Sequence, residues 1–203
     1  MSADSAIRYL KKDPKLAKVI DMVGRYQIKL TRNRYESLVE AIITQQLAGS
    51  AAKSISKKFR GLYKARFPKP IDVIKTPDSK LRKTGLSGMK IKYIKELSKK
   101  IESKELKLNT LSRLSDEEII THLTQVKGIG RWTAEMFLIF TLGRQDILPV
   151  GDLGLKKGIQ LLYSMPELPK EDAMEEIAES WRPYRTVATW YLWKSLQKFD
   201  TIG

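Results

Sequence analysis

The sequence predicts an all-α protein, on three observations. Apolar residues recur at i, i+3 and i+4 in one segment after another. No run of alternating apolar and polar residues stands beside a hairpin turn signal. Capping residues, glycines and prolines punctuate the apolar segments where helices start and stop.

In chain order, Tyr35 to Gln46 carries Leu38, Val39, Ile42 and Ile43 at helical spacing. After Gly49, residues Ala51, Ile55, Phe59 and Leu62 repeat that period, and Lys-Pro-Ile at 69–71 breaks it. Gly85 and Gly88 bracket a turn before a helix carrying Ile91, Ile94, Leu97 and Ile101. Ser-Asp-Glu-Glu at 115–118 marks a helix start: Ser115 caps it and Glu118 reaches back, forming a capping box. That helix runs through Ile119, Ile120 and Leu123 and stops at Gly128; the next begins near Arg131, in a region that Pro149 closes. A further helix covers 171–181, and Pro183 fits the first turn of a last helix reaching about Phe199. No long repeat, low-complexity tract or flexible linker interrupts the chain.

The 203 residues suffice for one compact unit or two small lobes. With no cysteine, the chain holds no disulfide, thiol nucleophile, Cys-bound zinc or iron–sulfur cluster. The one histidine, His122, reads as structural or solvent-facing, which argues against a His-based metal centre. No stretch approaches the ~20 apolar residues that span a bilayer, and the N-terminus lacks a signal-peptide core. We therefore expect an intracellular protein without a membrane partner, in the cytoplasm or nucleoid, or in the nucleus of a eukaryote. A formal charge of +15, from 38 Lys+Arg against 23 Asp+Glu, suits a partner rich in phosphate; a Lys-rich solubility or thermophile surface is the plainer alternative.

Residues 123–134, Leu-Thr-Gln-Val-Lys-Gly-Ile-Gly-Arg-Trp-Thr-Ala, read as a helix-hairpin-helix spanning 115–143. Gly128 and Gly130 permit a tight turn around Ile129, and the second helix presents N–H groups and a positive dipole end to a DNA phosphate. Lys127, Arg131 and Thr133 flank that site. Such a contact positions a duplex without reading its sequence. By itself, Gly-X-Gly between helices is also a common structural corner. Downstream, Asp152 stands between Gly151 and Leu153 with Leu148, Val150 and Leu155 close by. As an isolated residue it reads as the cap of the helix that follows.

Four blocks in fixed order change that reading: residues 35–52, 85–94, the hairpin with Val-Gly-Asp-Leu-Gly-Leu at 150–155, and 181–193. Together they resemble the helix-hairpin-helix DNA glycosylase superfamily, and within it the 3-methyladenine DNA glycosylase II (AlkA-like) branch. The resemblance implies an all-helical fold of two lobes. One is a central lobe at 34–148; the other is built from both chain ends, 1–33 plus 149–203. The N-terminal β domain of longer relatives is expected to be missing.

It also implies a base-excision repair enzyme that flips a damaged nucleotide into a cleft and hydrolyses the N-glycosidic bond of alkylated purines of the 3-methyladenine and 7-methylguanine type. Asp152 matches the catalytic aspartate, whose charge stabilises the cationic sugar. Trp193 matches a base-stacking tryptophan, although its position on a helix also suits a core aromatic. Met136 stands where relatives place a second pocket aromatic. Trp132 replaces the lysine of bifunctional relatives and cannot form a Schiff base, so no lyase activity is expected. Leu47 matches the wedge that fills the space of the flipped base, with Gln46 beside it on the opposite strand. Arg185 is assigned to a lobe interface or to the aspartate loop, Trp181 and Trp190 to packing. No cofactor is required; the resemblance allows a structural Na+ or K+ on the backbone carbonyls of Thr124, Val126 and Ile129. The expected partner is double-stranded DNA containing alkylated bases, bound by a monomer. Rival readings are a non-catalytic hairpin DNA-binding protein, a glycosylase/lyase for oxidised bases, and an RNA-binding helical protein.

Overall fold

The computed structural model describes residues 3–47, 49–64 and 66–199, the last two for their backbone only. The outermost residues of the expected terminal lobe, 1–2 and 200–203, and Ala48 within the 35–52 block lie outside the described residues. Every regular element among the described residues is helical. The chain forms two compact units: 1–30 with 138–203, and 31–137.

The first unit opens with α1 (Ala3–Leu10) and α2 (Pro14–Val23). Asp13 caps α2, its carboxylate accepting from the N–H of Lys15 at 2.9 Å and of Leu16 at 3.2 Å. The central unit contains α3 (Arg34–Thr44), α4 (Gly49–Gly61), α5 (Pro70–Lys75), α6 (Asp78–Arg82), α7 (Gly88–Glu102), a 3₁₀ turn at 108–113, α8 (Asp116–Thr124) and α9 (Arg131–Phe137). Its core joins Leu38, Val39, Ile42 and Ile43 of α3 to Phe59, Ile91, Ile94, Ile119, Leu123 and Phe137. The buried Tyr35 hydroxyl and Ser98 hydroxyl share a hydrogen bond of 2.6 Å, so neither is left unpaired. The capping box forms as expected: Ser115 N–H donates to Glu118 at 2.7 Å and Glu118 N–H to the Ser115 hydroxyl at 3.4 Å.

The chain then returns to the first unit through a π-helical stretch, 138–142, followed by α10 (Leu153–Tyr163), α11 (Glu171–Glu179) and α12 (Arg185–Phe199). Here α2, α10 and α12 pack together around Leu16, Ile20, Leu155, Ile159, Trp181, Tyr191 and Leu192. Trp181 and Trp190 are both buried, in the packing role expected of them. Three details differ from the sequence reading. Pro70 starts a short helix, because a proline is tolerated where the first N–H has no intrahelical acceptor. Pro183 lies two residues before α12, outside its first turn. Residues 138–148 cluster with the chain ends, not with the central unit: Thr186 N–H donates to the Gln145 carbonyl at 2.9 Å, and the Ile147 N–H to the Thr186 hydroxyl at 2.9 Å.

Candidate active site and nucleic-acid interface

In the central unit, α8 ends at Thr124 and the chain turns through 125–130 into α9. Ile129 N–H closes the turn on the Val126 carbonyl at 3.0 Å. Gly128 has φ +88°, and a β-carbon there would stand 2.2 Å from the Tyr93 ring. Both the left-handed backbone and the close aromatic therefore demand glycine. Lys127 and Gly130 are exposed. Ile129 is buried, so only its backbone can reach a ligand, and Val126 is buried with it. Of the three carbonyls assigned to a cation, that of Val126 is shared with the turn itself.

Two of the expected DNA contacts take other roles. Thr133 is buried, because its position on α9 faces the core, so its hydroxyl does not present itself to a phosphate. Arg131 bridges the hairpin internally: its guanidinium donates to both oxygens of Glu117, at 2.6 and 3.0 Å, and to the buried Glu135 at 3.1 Å. The hydrogen bonds to Glu117 hold the Arg131 guanidinium above the usual arginine range. These carboxylates compete with any phosphate for Arg131, and sequence reasoning credited it with free positive charge.

Beside the hairpin, α3 ends at Thr44 and the chain bends sharply. Gln46 adopts a left-handed conformation, φ 55°, and Leu47 is exposed. Leu47 N–H donates to the Thr44 carbonyl at 3.3 Å. Gln45 turns inward, its side-chain amide donating to the Gly128 carbonyl at 2.7 Å. Trp132 is exposed on α9, and Met136, one turn on, is half-buried.

In the other unit, Asp152 is the N-cap of α10. Its Oδ1 accepts the Leu155 N–H at 2.7 Å and the Trp193 indole N–H at 2.8 Å. The cap reading and the site reading are thus compatible: capping is what fixes the carboxylate. Gly154 permits this, since a β-carbon there would lie 3.0 Å from Asp152 Oδ1 and 3.1 Å from the indole. The Trp193 ring lies nearly parallel to Phe140, with centroids 6.0 Å apart and planes at 18°. Phe140 sits on the π-helical stretch, a distortion that often marks functional positions. Sequence reasoning missed it by looking for an aromatic at Met136; the extra residue in a π turn shifts the register of side chains and leaves no signature in spacing.

The loop before Asp152 is fastened to the start of α12. Arg185 donates to both oxygens of Asp146, at 2.8 and 3.0 Å, and to its carbonyl at 2.7 Å. Arg182 adds a further bond to Asp146 at 2.8 Å. Arg185 therefore serves the aspartate loop. No group of three or more His, Cys, Asp or Glu among the described residues is arranged to hold a metal. Nor is any described helix long and apolar enough to cross a membrane.

The family described as HhH-GPD superfamily base excision DNA repair protein matches residues 39–183. The chain belongs to the HhH-GPD superfamily. Among similar HhH-GPD proteins, DNA-3-methyladenine glycosylase 1 of Schizosaccharomyces pombe is 35% identical over 197 residues, covering 93% of this chain and 85% of that protein. A solved structure of the Schizosaccharomyces pombe 3-methyladenine DNA glycosylase in complex with abasic DNA superposes with a TM-score of 0.82 at 33% identity, over 95% of this chain and 97% of the other. DNA-3-methyladenine glycosidase of Bacillus halodurans gives a TM-score of 0.86 at 36% identity, over 95% and 89%. The all-α HhH-GPD fold expected from the sequence is the fold observed.

Proposed function

We propose that this protein is a monofunctional DNA glycosylase that removes alkylated purines, of the 3-methyladenine and 7-methylguanine type, from double-stranded DNA. The observation that carries the reading is the Asp152 carboxylate, held at the start of α10 by the Leu155 and Trp193 N–H groups. An anion at the positive end of a helix is favourably placed, and here its orientation is set before substrate arrives.

In the proposed reaction the bond between C1′ and the purine nitrogen breaks, and its electron pair leaves with the base. An N3- or N7-alkylated purine is cationic and departs neutral. Positive charge passes to the deoxyribose, where the Asp152 carboxylate stabilises it. Water adds to C1′ and gives up a proton, completing hydrolysis without a cofactor. Trp193 orients the carboxylate and, with Phe140, offers an aromatic surface to a cationic base.

The hairpin holds a phosphate through backbone N–H groups around Gly128 and Gly130, with Lys127 adding charge. Leu47 enters the duplex and Gln46 meets the opposite strand. A Na+ or K+ ion on the Thr124, Val126 and Ile129 carbonyls would strengthen the phosphate site. With Trp132 in place of a lysine, no Schiff base forms and the strand is not cut. The enzyme acts as a monomer wherever its DNA resides, in the cytoplasm or nucleoid, or in a nucleus.

The test is incubation with methylated duplex DNA. Release of free methylpurine, with strand breaks only after alkali and no covalent complex trapped by borohydride, is the expected result. Borohydride trapping would overturn the monofunctional assignment. Salt-sensitive duplex binding without base release would overturn the enzymatic one.

A further inference from the structure

The end of α3 is held by more than its own helix. The half-buried Lys90 ammonium, from the first turn of α7, donates to the Ile43 carbonyl at 2.7 Å and to the Gln45 carbonyl at 2.7 Å. A cation at a helix C-terminus satisfies carbonyls that have no intrahelical donor and opposes the negative end of the dipole. Burial pushes the ammonium below the usual lysine range. Gln45 passes the connection on: its backbone is fixed by Lys90, and its side chain donates to the carbonyl of Gly128, the left-handed residue of the hairpin. The next two residues are the left-handed Gln46 and the exposed Leu47.

We propose that Lys90 and Gln45 are positioning residues that lock the Leu47 wedge in register with the phosphate-holding hairpin, so that grip on the backbone and insertion into the base stack occur as one event. The proposal rests on the base-flipping reading above. A wedge on an untethered turn would have to be ordered after the duplex was bound. Tethering to Gly128 removes that ordering cost, and it falls on discrimination between lesion and intact duplex more than on general affinity.

The test is a double-mutant cycle on the full chain. Binding is measured to a duplex with one tetrahydrofuran abasic site flanked by 2-aminopurine, and to the same duplex without the site; fluorescence reports unstacking. For wild type, the lesion duplex brightens on binding. Gln45→Leu lowers the lesion preference by about fivefold, the effect of one lost hydrogen bond of about average strength. In a Leu47→Ala background the same substitution changes it by less than about twofold, since coupled residues are not additive. Lys90→Met repeats the pattern, and Lys90→Arg restores most of the preference. Melting curves identify any variant that fails to fold, in which case the other position is read.

Equal losses of Gln45→Leu in both backgrounds, or equal losses on intact and lesion duplex, would make the contact a structural cap and overturn the proposal. An unaltered Gln45→Leu beside a responsive wild type overturns it alone. No brightening with wild type overturns it together with base flipping.

Discussion

The two candidate contact regions are built on opposite plans. At the hairpin turn, backbone atoms take the contacts: a Gly128 carbonyl accepts from Gln45, and a Val126 carbonyl closes the turn. At Asp152, side chains do it: an indole N–H orients the carboxylate, and two arginines and a threonine fasten the loop that carries it. The hairpin turn is therefore expected to fail first where backbone geometry changes, at Gly128. The acid site keeps its backbone under substitution and fails when a single polar atom is lost. This division suits a DNA glycosylase, in which backbone contacts position the duplex and a separate site acts on the base.

The contrast can be broken from either side. The largest effect is expected at Gly128. Gly128→Ala forces a β-carbon into the Tyr93 ring at φ +88°, costing about 3 kcal/mol from left-handed strain and overpacking. Thermal melting should fall by roughly 10 °C, with duplex affinity falling alongside. Wild-type melting and affinity would mean the turn has other conformations to use.

Next comes Trp193→Phe, which keeps a ring against Phe140 and removes the donor to Asp152. A hydrogen bond to a charged group is worth about 1.5–3 kcal/mol, so single-turnover base release should slow by at least about tenfold. Intact-duplex affinity should stay within about twofold, a margin of roughly 0.4 kcal/mol. A loss of affinity without a loss of rate would place Trp193 in stacking alone.

Arg185→Met removes three bonds to Asp146 and leaves the Arg182 bond. Both side chains are partly exposed, so the expected loss is about 2 kcal/mol, read from urea unfolding, with base release reduced in step. Unchanged release in the folded variant would show that the loop needs no such clamp.

The smallest effect is expected at the start of α2. Burial works against ionised Asp13, but hydrogen bonds from Tyr163, Leu16 and Lys15 outweigh it and hold its carboxyl below the usual range. Its stabilisation is therefore present above the unfolded carboxyl value of about 3.9 and is lost as pH falls through the lower folded value. The melting difference between wild type and Asp13→Asn should be steady near neutrality and shrink below about pH 4. A difference that persisted at low pH would assign the effect to packing.

How much of this was legible in the sequence follows the same division. The capping box at Ser115 and Glu118 was readable because its signal is local, three residues apart. Gly128 was readable because a left-handed turn asks for glycine. Asp152 was visible only as a cap until the resemblance to the helix-hairpin-helix glycosylases gave it a second meaning. Arg131 and Thr133 misled, since a sequence shows charge and polarity but not that Glu117 and Glu135 face Arg131, or that Thr133 lies on the buried side of α9. Phe140, Lys90 and the inward turn of Gln45 stayed hidden. Each depends on a partner 45 to 83 residues away or on a π-helical shift of register, and no local periodicity encodes those.

The most direct test of the central claim compares wild type with Asp152→Asn. Asparagine keeps an oxygen for the Leu155 and Trp193 donors, so the cap and fold should persist at a cost of a few tenths of a kcal/mol at most. Affinity for methylated duplex and single-turnover release of free methylpurine are measured on the same preparations. We predict affinity unchanged and release lowered by at least about 100-fold, the scale of losing one fixed electrostatic stabiliser. Release at the wild-type rate by Asp152→Asn would contradict the assignment of the chemistry to this carboxylate.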